Sequence, residues 1–278
     1  ALHVPMMLAY GRLMRALAGF LGCAAEEDAV LAARAAYGED ALIAELLRAA
    51  RIETLLVDRG FPPAERVRPD AEVAALAGCA VAPILRLELL MQDLIAAHET
   101  LESVVAALRV ALADIRGAGY VGLKSIAAYR TGLDIRVWDR EAAEAAFAEA
   151  RRTVAQRGAV RLAARPLLDT LLWVAFAEAA RQAVPVQFHT GYGDTDMDLR
   201  LGNPLHLRAV LEDAHLRGMP VVLLHGCWPY TREGAYLAAM YGQVSLDLSY
   251  GIPFLSTGEQ LALLRAALAA APTSKLLY

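Results

Sequence analysis

The chain has 278 residues, a formal net charge of −4 and 57% hydrophobic residues, with alanine supplying much of the excess. That length fits one large domain or two small ones, and the weak charge leaves no basic footprint for nucleic acid. Arg, Glu or Asp interrupts every apolar run before it reaches membrane-spanning length, so no membrane segment is expected.

The predicted elements alternate along the chain. Three amphipathic helices come first, at Met6 to Cys23, Glu26 to Tyr37 and Asp40 to Ala50. Glu53 to Phe61 reads as a buried strand ending in a Gly/Pro turn, and a short helix at Ala71 to Ala77 leads to a strand opening at Pro83. Arg86 and Glu88 alternate with leucines on that strand, which predicts that they share a face. One long helical stretch, Asp93 to Arg116, precedes the strand Tyr120 to Ser125, which carries Lys124. Helix from Arg140 to Ala183 is broken near Gly158 and Pro166.

Two similar segments follow, Pro185-Val-Gln-Phe-His189-Thr-Gly and Pro220-Val-Val-Leu-Leu-His225-Gly-Cys. Each is a short apolar run that breaks at Gly just after its His, as a buried parallel strand with a ligand-type side chain at its C-terminal end would read. Between them lie a Gly/Asp-rich loop, Gly191 to Asn203, and a predicted helix, Pro204 to Arg217. A helix at Glu233 to Tyr241, a strand at Gln243 to Tyr250, a helix at Thr257 to Ala271 and a strand-like end from Ser274 complete the pattern.

Seven strands separated by crossover-length helices predict a parallel α/β sheet. The expected fold is a TIM-type (β/α)8 barrel lacking its first strand and truncated in its last, with an open seven-stranded sheet as the competitor. The chain is expected to be a single barrel domain, with residues 1–50 as an extra N-terminal helical insertion and 51–278 as the barrel. Cys23, Cys79 and Cys227 are odd in number and widely spaced, which argues against a disulfide framework. The first helix also lacks a signal-peptide cleavage pattern, so a cytoplasmic protein is expected.

In parallel barrels the chemistry is done at the C-terminal ends of the strands. Two imidazoles delivered to one rim point to a metal site or an acid/base pair. Lys124, an amine at the end of a buried strand, is costly unless paired or chemically altered. It could equally be a cation for a substrate carboxylate or the partner of a nearby acid. Tyr129 and Arg130 follow it and could read an anionic substrate, since Arg offers a bidentate fork. Arg86 and Arg200 are the further candidates for substrate contact. Asp247, between leucines on a strand, is a candidate partner for a metal-binding His.

Three pieces, Gly122-Leu-Lys124-Ser-Ile-Ala-Ala-Tyr129-Arg130-Thr-Gly-Leu133, Gln187-Phe-His189-Thr-Gly-Tyr-Gly193-Asp194 and Leu223-Leu-His225-Gly-Cys, together resemble the amidohydrolase superfamily. The resemblance is to its amidohydrolase-2 group, including the amidohydrolase-like domain fused to glutamine synthetase in some fungal and plant proteins. It implies metal ligation by His189, with His225 as a second ligand, a group that polarises the substrate carbonyl or a proton shuttle, and Lys124 carbamylated as an anionic bridge between metals. Members also carry a His-x-His pair on the first strand and an Asp on the eighth, and this sequence contains no His-x-His.

The implied cofactor is a divalent metal, Zn2+ in one or two copies, with Mn2+ or Fe2+ as alternatives. The implied reaction is cleavage of a C–N bond in a small carboxylate-bearing substrate, with His225 and Lys124 catalytic. A decarboxylase with the same ligands but without the strand lysine, and a non-catalytic scaffold, are the alternatives. Alanine-rich helices would permit close packing between subunits, so a homo-oligomer is compatible with the sequence.

Overall fold

The computed structural model describes residues 3–60, 62, 66–249 and 254–278. Helices α1 (Leu8–Leu21), α2 (Glu27–Tyr37) and α3 (Glu39–Ala49) precede β1 (Thr54–Asp58). Then come α4 (Asp70–Ala77), β2 (Ala80–Arg86), α5 (Leu87–Ala97), α6 (Leu101–Ala111), β3 (Gly122–Ser125), α7 (Arg140–Arg157) and α8 (Arg165–Gln182). The rest is β4 (Val186–Phe188), α9 (Arg208–Glu212), β5 (Val221–Leu223), α10 (Thr231–Met240), β6 (Val244–Asp247), α11 (Thr257–Leu268) and β7 (Leu276–Leu277). Phe61 and Tyr250, the expected ends of the first and sixth strand runs, lie outside the described residues.

All seven expected strands form, in one sheet whose spatial order is the chain order β1 to β7. Each pairing from β2 to β7 is parallel. Parallel neighbours in consecutive order, joined through helices, make this an α/β fold of the TIM-barrel type. Among the described residues, no helix is long and apolar enough to cross a membrane.

Two compact units can be distinguished: residues 1–57, 62–82 and 251–261, and residues 58–61, 83–250 and 262–278. In the first, α1 packs on α2, α2 on α3 and α3 on α4. Left-handed glycines at 22 and 78 end α1 and α4, where a side chain would be strained.

The second unit holds the deep core. Its register aligns Leu123, Val186, Val221 and Val244 across four strands, all of them buried. Phe188 on β4 packs its ring 5.4 Å from that of Phe176 on α8, and both are fully buried. Because side chains alternate along a strand, the neighbouring register row points to the opposite face. That row begins with Arg86, Lys124 and Gln187, so the fold lines up two cations on the face away from the aliphatic core.

Three sequence expectations need correction. Glu88 is not on the strand with Arg86: β2 ends at Arg86, and Glu88 sits in the first turn of α5. The stretch 93–116 is not one helix. It breaks at His98, and Thr100 starts α6 with a capping box in which its side chain and that of Ser103 satisfy each other's backbone N–H groups. The expected helix 204–217 is a series of short turns around α9, because Asn203 and Asp213 each cap a new 3-10 turn with their carboxamide or carboxylate oxygen.

Candidate metal and substrate site

The site lies in the second unit, in a cavity of about 960 Å³ lined by Asp58, Arg86, Lys124, Tyr129, Arg130, Arg161, His189, Asp196 and His225 among others. Its size suits a small molecule, since such pockets run from about 300 to 1,000 Å³.

His189 and His225 converge, with His225 Nε2 3.0 Å from His189 Nδ1 and ring centroids 4.6 Å apart. Strand alternation alone would not aim His225 this way. Its backbone is left-handed (φ 70°), a strained conformation for a non-glycine residue. Its N–H donates to Asp247 Oδ2 at 3.0 Å, so the β6 carboxylate holds the turn that presents the imidazole. The Tyr129 ring packs against His189 with centroids 4.5 Å apart, and its hydroxyl accepts from the Asp194 N–H.

Both imidazoles are held far below their ordinary pKa, to about 3. Burial is the main cause; His225 and Lys124 add to it for His189, and Lys124 adds to it for His225. They are therefore neutral, with lone pairs available. A hydrogen bond between neutral rings uses one proton and one lone pair. If His189 Nδ1–H donates, His189 Nε2 is left bare and His225 carries its proton at Nδ1. His189 Nε2 is buried and has no partner at hydrogen-bond geometry among the described residues, although the Tyr192 backbone lies close enough to the ring to raise its pKa against the effect of burial. A buried bare imidazole nitrogen whose ring is fixed through its other nitrogen fits a metal ligand. Among the described residues, no group of three His, Cys, Asp or Glu side chains gathers to hold an ion. The donor set is two imidazoles with Lys124 in the same cavity.

Gly193 closes over this nitrogen. A Cβ at that position would lie 3.1 Å from His189 Nε2 and 2.5 Å from the Tyr129 hydroxyl. Gly193→Ala is therefore expected to fill the space an ion would need and to displace Tyr129. Turnover should fall on the order of a hundredfold, the cost of small misplacements at a reacting centre. Metal-dependent activity and a melting curve, measured side by side, check that the fold survives the loss.

Lys124 is mostly buried, and burial lowers its amine pKa, with nearby Asp58 opposing and Arg86 reinforcing the shift. Its Nζ lies 3.7 Å from Asp58 Oδ2. Asp58 ends β1 and is gripped by Arg86, whose Nε and Nη2 donate to Oδ2 at 3.0 and 2.5 Å, while the Gly60 N–H donates to Oδ1. Arg86 is thus engaged by Asp58 and not by Glu88. Glu88 is fully buried and accepts from Ser125 Oγ at 2.7 Å and the Ile126 N–H at 2.9 Å, which fixes the turn after Lys124. Burial raises its carboxyl above the usual range.

Of the residues picked from the sequence, the fold brings His189, His225, Lys124, Arg86, Tyr129 and Arg130 to one cavity. It does not bring Arg200, which is exposed and paired with Asp198. Sequence reasoning missed Asp58, Arg161 and Gly193. Asp58 had one available signal, its position at the C-terminal end of a strand.

The sequence profile described as amidohydrolase matches residues 123–278. The protein fluG of Emericella nidulans is 38% identical over 165 residues, which cover 57% of this chain and 19% of that protein, so the chain spans only a small part of that relative's length. A solved structure from Lactobacillus casei, provisionally assigned as a metal-dependent hydrolase, aligns with a TM-score of 0.84 at 31% identity, over 99% of this chain and 70% of that one. Uronate isomerase from Thermotoga maritima aligns with a TM-score of 0.52 at 13% identity, over 82% of this chain and 55% of that one, a likeness of fold alone.

Proposed function

The chain belongs to the amidohydrolase family, and we propose that it is a metal-dependent hydrolase cleaving a C–N bond in a small, carboxylate-bearing substrate. The observation that carries this reading is the paired neutral imidazoles of His189 and His225, with the partnerless Nε2 of His189 buried in a cavity beside Lys124. When bound, a divalent cation supplies the Lewis acidity that makes water nucleophilic near neutral pH.

This chain's own residues divide the remaining work. His189 Nε2 would hold the ion. Lys124, whose amine pKa is lowered by burial, would contribute as a carbamate. Zn2+ suits a mixed imidazole and carboxylate set, and Mn2+ and Fe2+ are accommodated by the same donors. His225 would act on the substrate in preference to serving as a second ligand, because its Nε2 is engaged by His189 Nδ1. In that tautomer its Nδ1–H would donate a hydrogen bond that polarises the substrate carbonyl. Water adds across the bond, with oxygen joining the acyl carbon and hydrogen joining the amine. Tyr129, packed on His189, limits the imidazole to one orientation.

The test is an assay of metal-loaded protein against small N-acyl amino acids and ω-amides of dicarboxylates in 18O-labelled water. One labelled oxygen per acid released, with one equivalent of amine, is expected. Release of carbon dioxide without solvent oxygen in the product would replace hydrolysis by decarboxylation, and no turnover of either kind with Zn2+, Mn2+ or Fe2+ would favour a scaffold.

A further inference from the structure

Arg130 differs from every other cation lining the cavity. Arg86 is gripped by Asp58, Lys124 faces the same carboxylate, and Arg161 pairs with Asp196. The Arg130 side chain makes no hydrogen bond or ion pair among the described residues, although its Nε is buried. Glu88, the carboxyl that acts most strongly on it in charge, is fully buried and makes its hydrogen bonds to Ser125 Oγ and the Ile126 N–H instead. A half-buried guanidinium without an acceptor is a costly arrangement unless a ligand provides one.

A second guanidinium stands near it. Arg161 is close enough in charge to weigh on Arg130 and lines the same cavity. Its Nη2 donates to the Tyr129 carbonyl at 3.2 Å and to Asp196 Oδ2 at 3.0 Å. The backbone beside it is anchored, since the Leu162 N–H donates to Gln92 Oε1 at 2.9 Å. The Arg161–Asp196 pair is more than half exposed on both sides, so water and salt screen it and it exchanges readily.

We propose that Arg130 and Arg161 form a carboxylate seat in the cavity, and that Asp196 holds Arg161 as a resident stand-in until a ligand carboxylate takes its place. This rests on the hydrolase reading for the existence of a substrate, but the seat itself is a property of the two guanidiniums. Asp196 then acts as an internal competitor, and removing its charge should tighten binding where most cavity substitutions would weaken it.

The experiment is calorimetric titration with succinate, with uncharged succinamide as the control, on the intact protein before and after treatment with a chelator. Saturable succinate binding is expected in both states, with no binding of succinamide. Arg130→Gln should weaken succinate about tenfold or more, the loss of a hydrogen-bonded charge partner. Arg161→Gln should weaken it several-fold, and Asp196→Asn should tighten it by about two- to fivefold, the worth of an exposed pair. Unchanged affinity in Arg130→Gln, or no gain in Asp196→Asn, overturns the seat. Should Arg130→Gln fail to fold, the surface variant Asp196→Asn decides alone. Succinate binding that vanishes with the chelator and ignores Arg130 overturns the seat while leaving the hydrolase reading in place. Binding that survives the chelator and follows Arg130 supports the seat even if no amide is ever hydrolysed.

Discussion

His189→Asn is expected to lose metal-dependent turnover on the order of a thousandfold, while His189→Gln keeps a measurable part of it. The carboxamide nitrogen of Asn occupies the region of Nδ1, and that of Gln reaches the region of Nε2. Asn therefore preserves the contact with His225 Nε2, now at 3.0 Å, and removes the buried Nε2 that has no protein partner. Gln does the reverse, putting its carbonyl oxygen within reach of an ion. A cation's contribution of several kcal/mol to a developing oxyanion corresponds to about three decades of rate. If His189 served only to orient His225, the order would invert, with Asn the milder change. Steady-state rates for both variants with added metal, beside bound-metal content, distinguish the two.

The second large effect is on stability. Arg86→Met is expected to cost about 3 kcal/mol, because it leaves the Asp58 carboxylate mostly buried with only the Gly60 N–H and the more distant Lys124 facing it. At this chain length that corresponds to a fall in Tm of roughly 5–6 °C. Methionine keeps the volume of the arginine stem, so the loss reads the unpaired charge and not a cavity. The double variant Asp58→Asn/Arg86→Met removes the stranded charge as well and should recover much of the loss. A double variant that melts below Arg86→Met would show that Asp58 is held by something other than this pair.

The fold was legible because its signals are local. Apolar runs such as Val221-Val-Leu223, bounded by Pro and Gly, can be recognised as buried parallel strands without knowing their neighbours. The same runs carried Lys124, His189 and His225 to strand ends, and those three do share a cavity. What escaped was set by partners distant in the chain. Glu88 looked like a strand residue because Leu flanks it on both sides, but the chain turns into α5 one residue earlier and sends it to Ser125, 37 positions on. Arg161 reads as an ordinary loop cation until Tyr129 and Asp196 are brought to it. His225 would face the wrong way by strict alternation, and the left-handed turn that redirects it depends on Asp247. Arg200 failed for the opposite reason. Asp198, two residues before it, satisfies it locally and keeps it outside the cavity.

The most direct measurement is anomalous diffraction at the metal's absorption edge, from crystals grown after loading the protein with Zn2+ or Mn2+. A peak is expected about 2.0–2.1 Å from His189 Nε2, inside the cavity shared with Lys124 and His225. A fully loaded crystal with its peak elsewhere, or with His189 Nε2 bonded to protein and no ion beside it, would contradict metal ligation by His189.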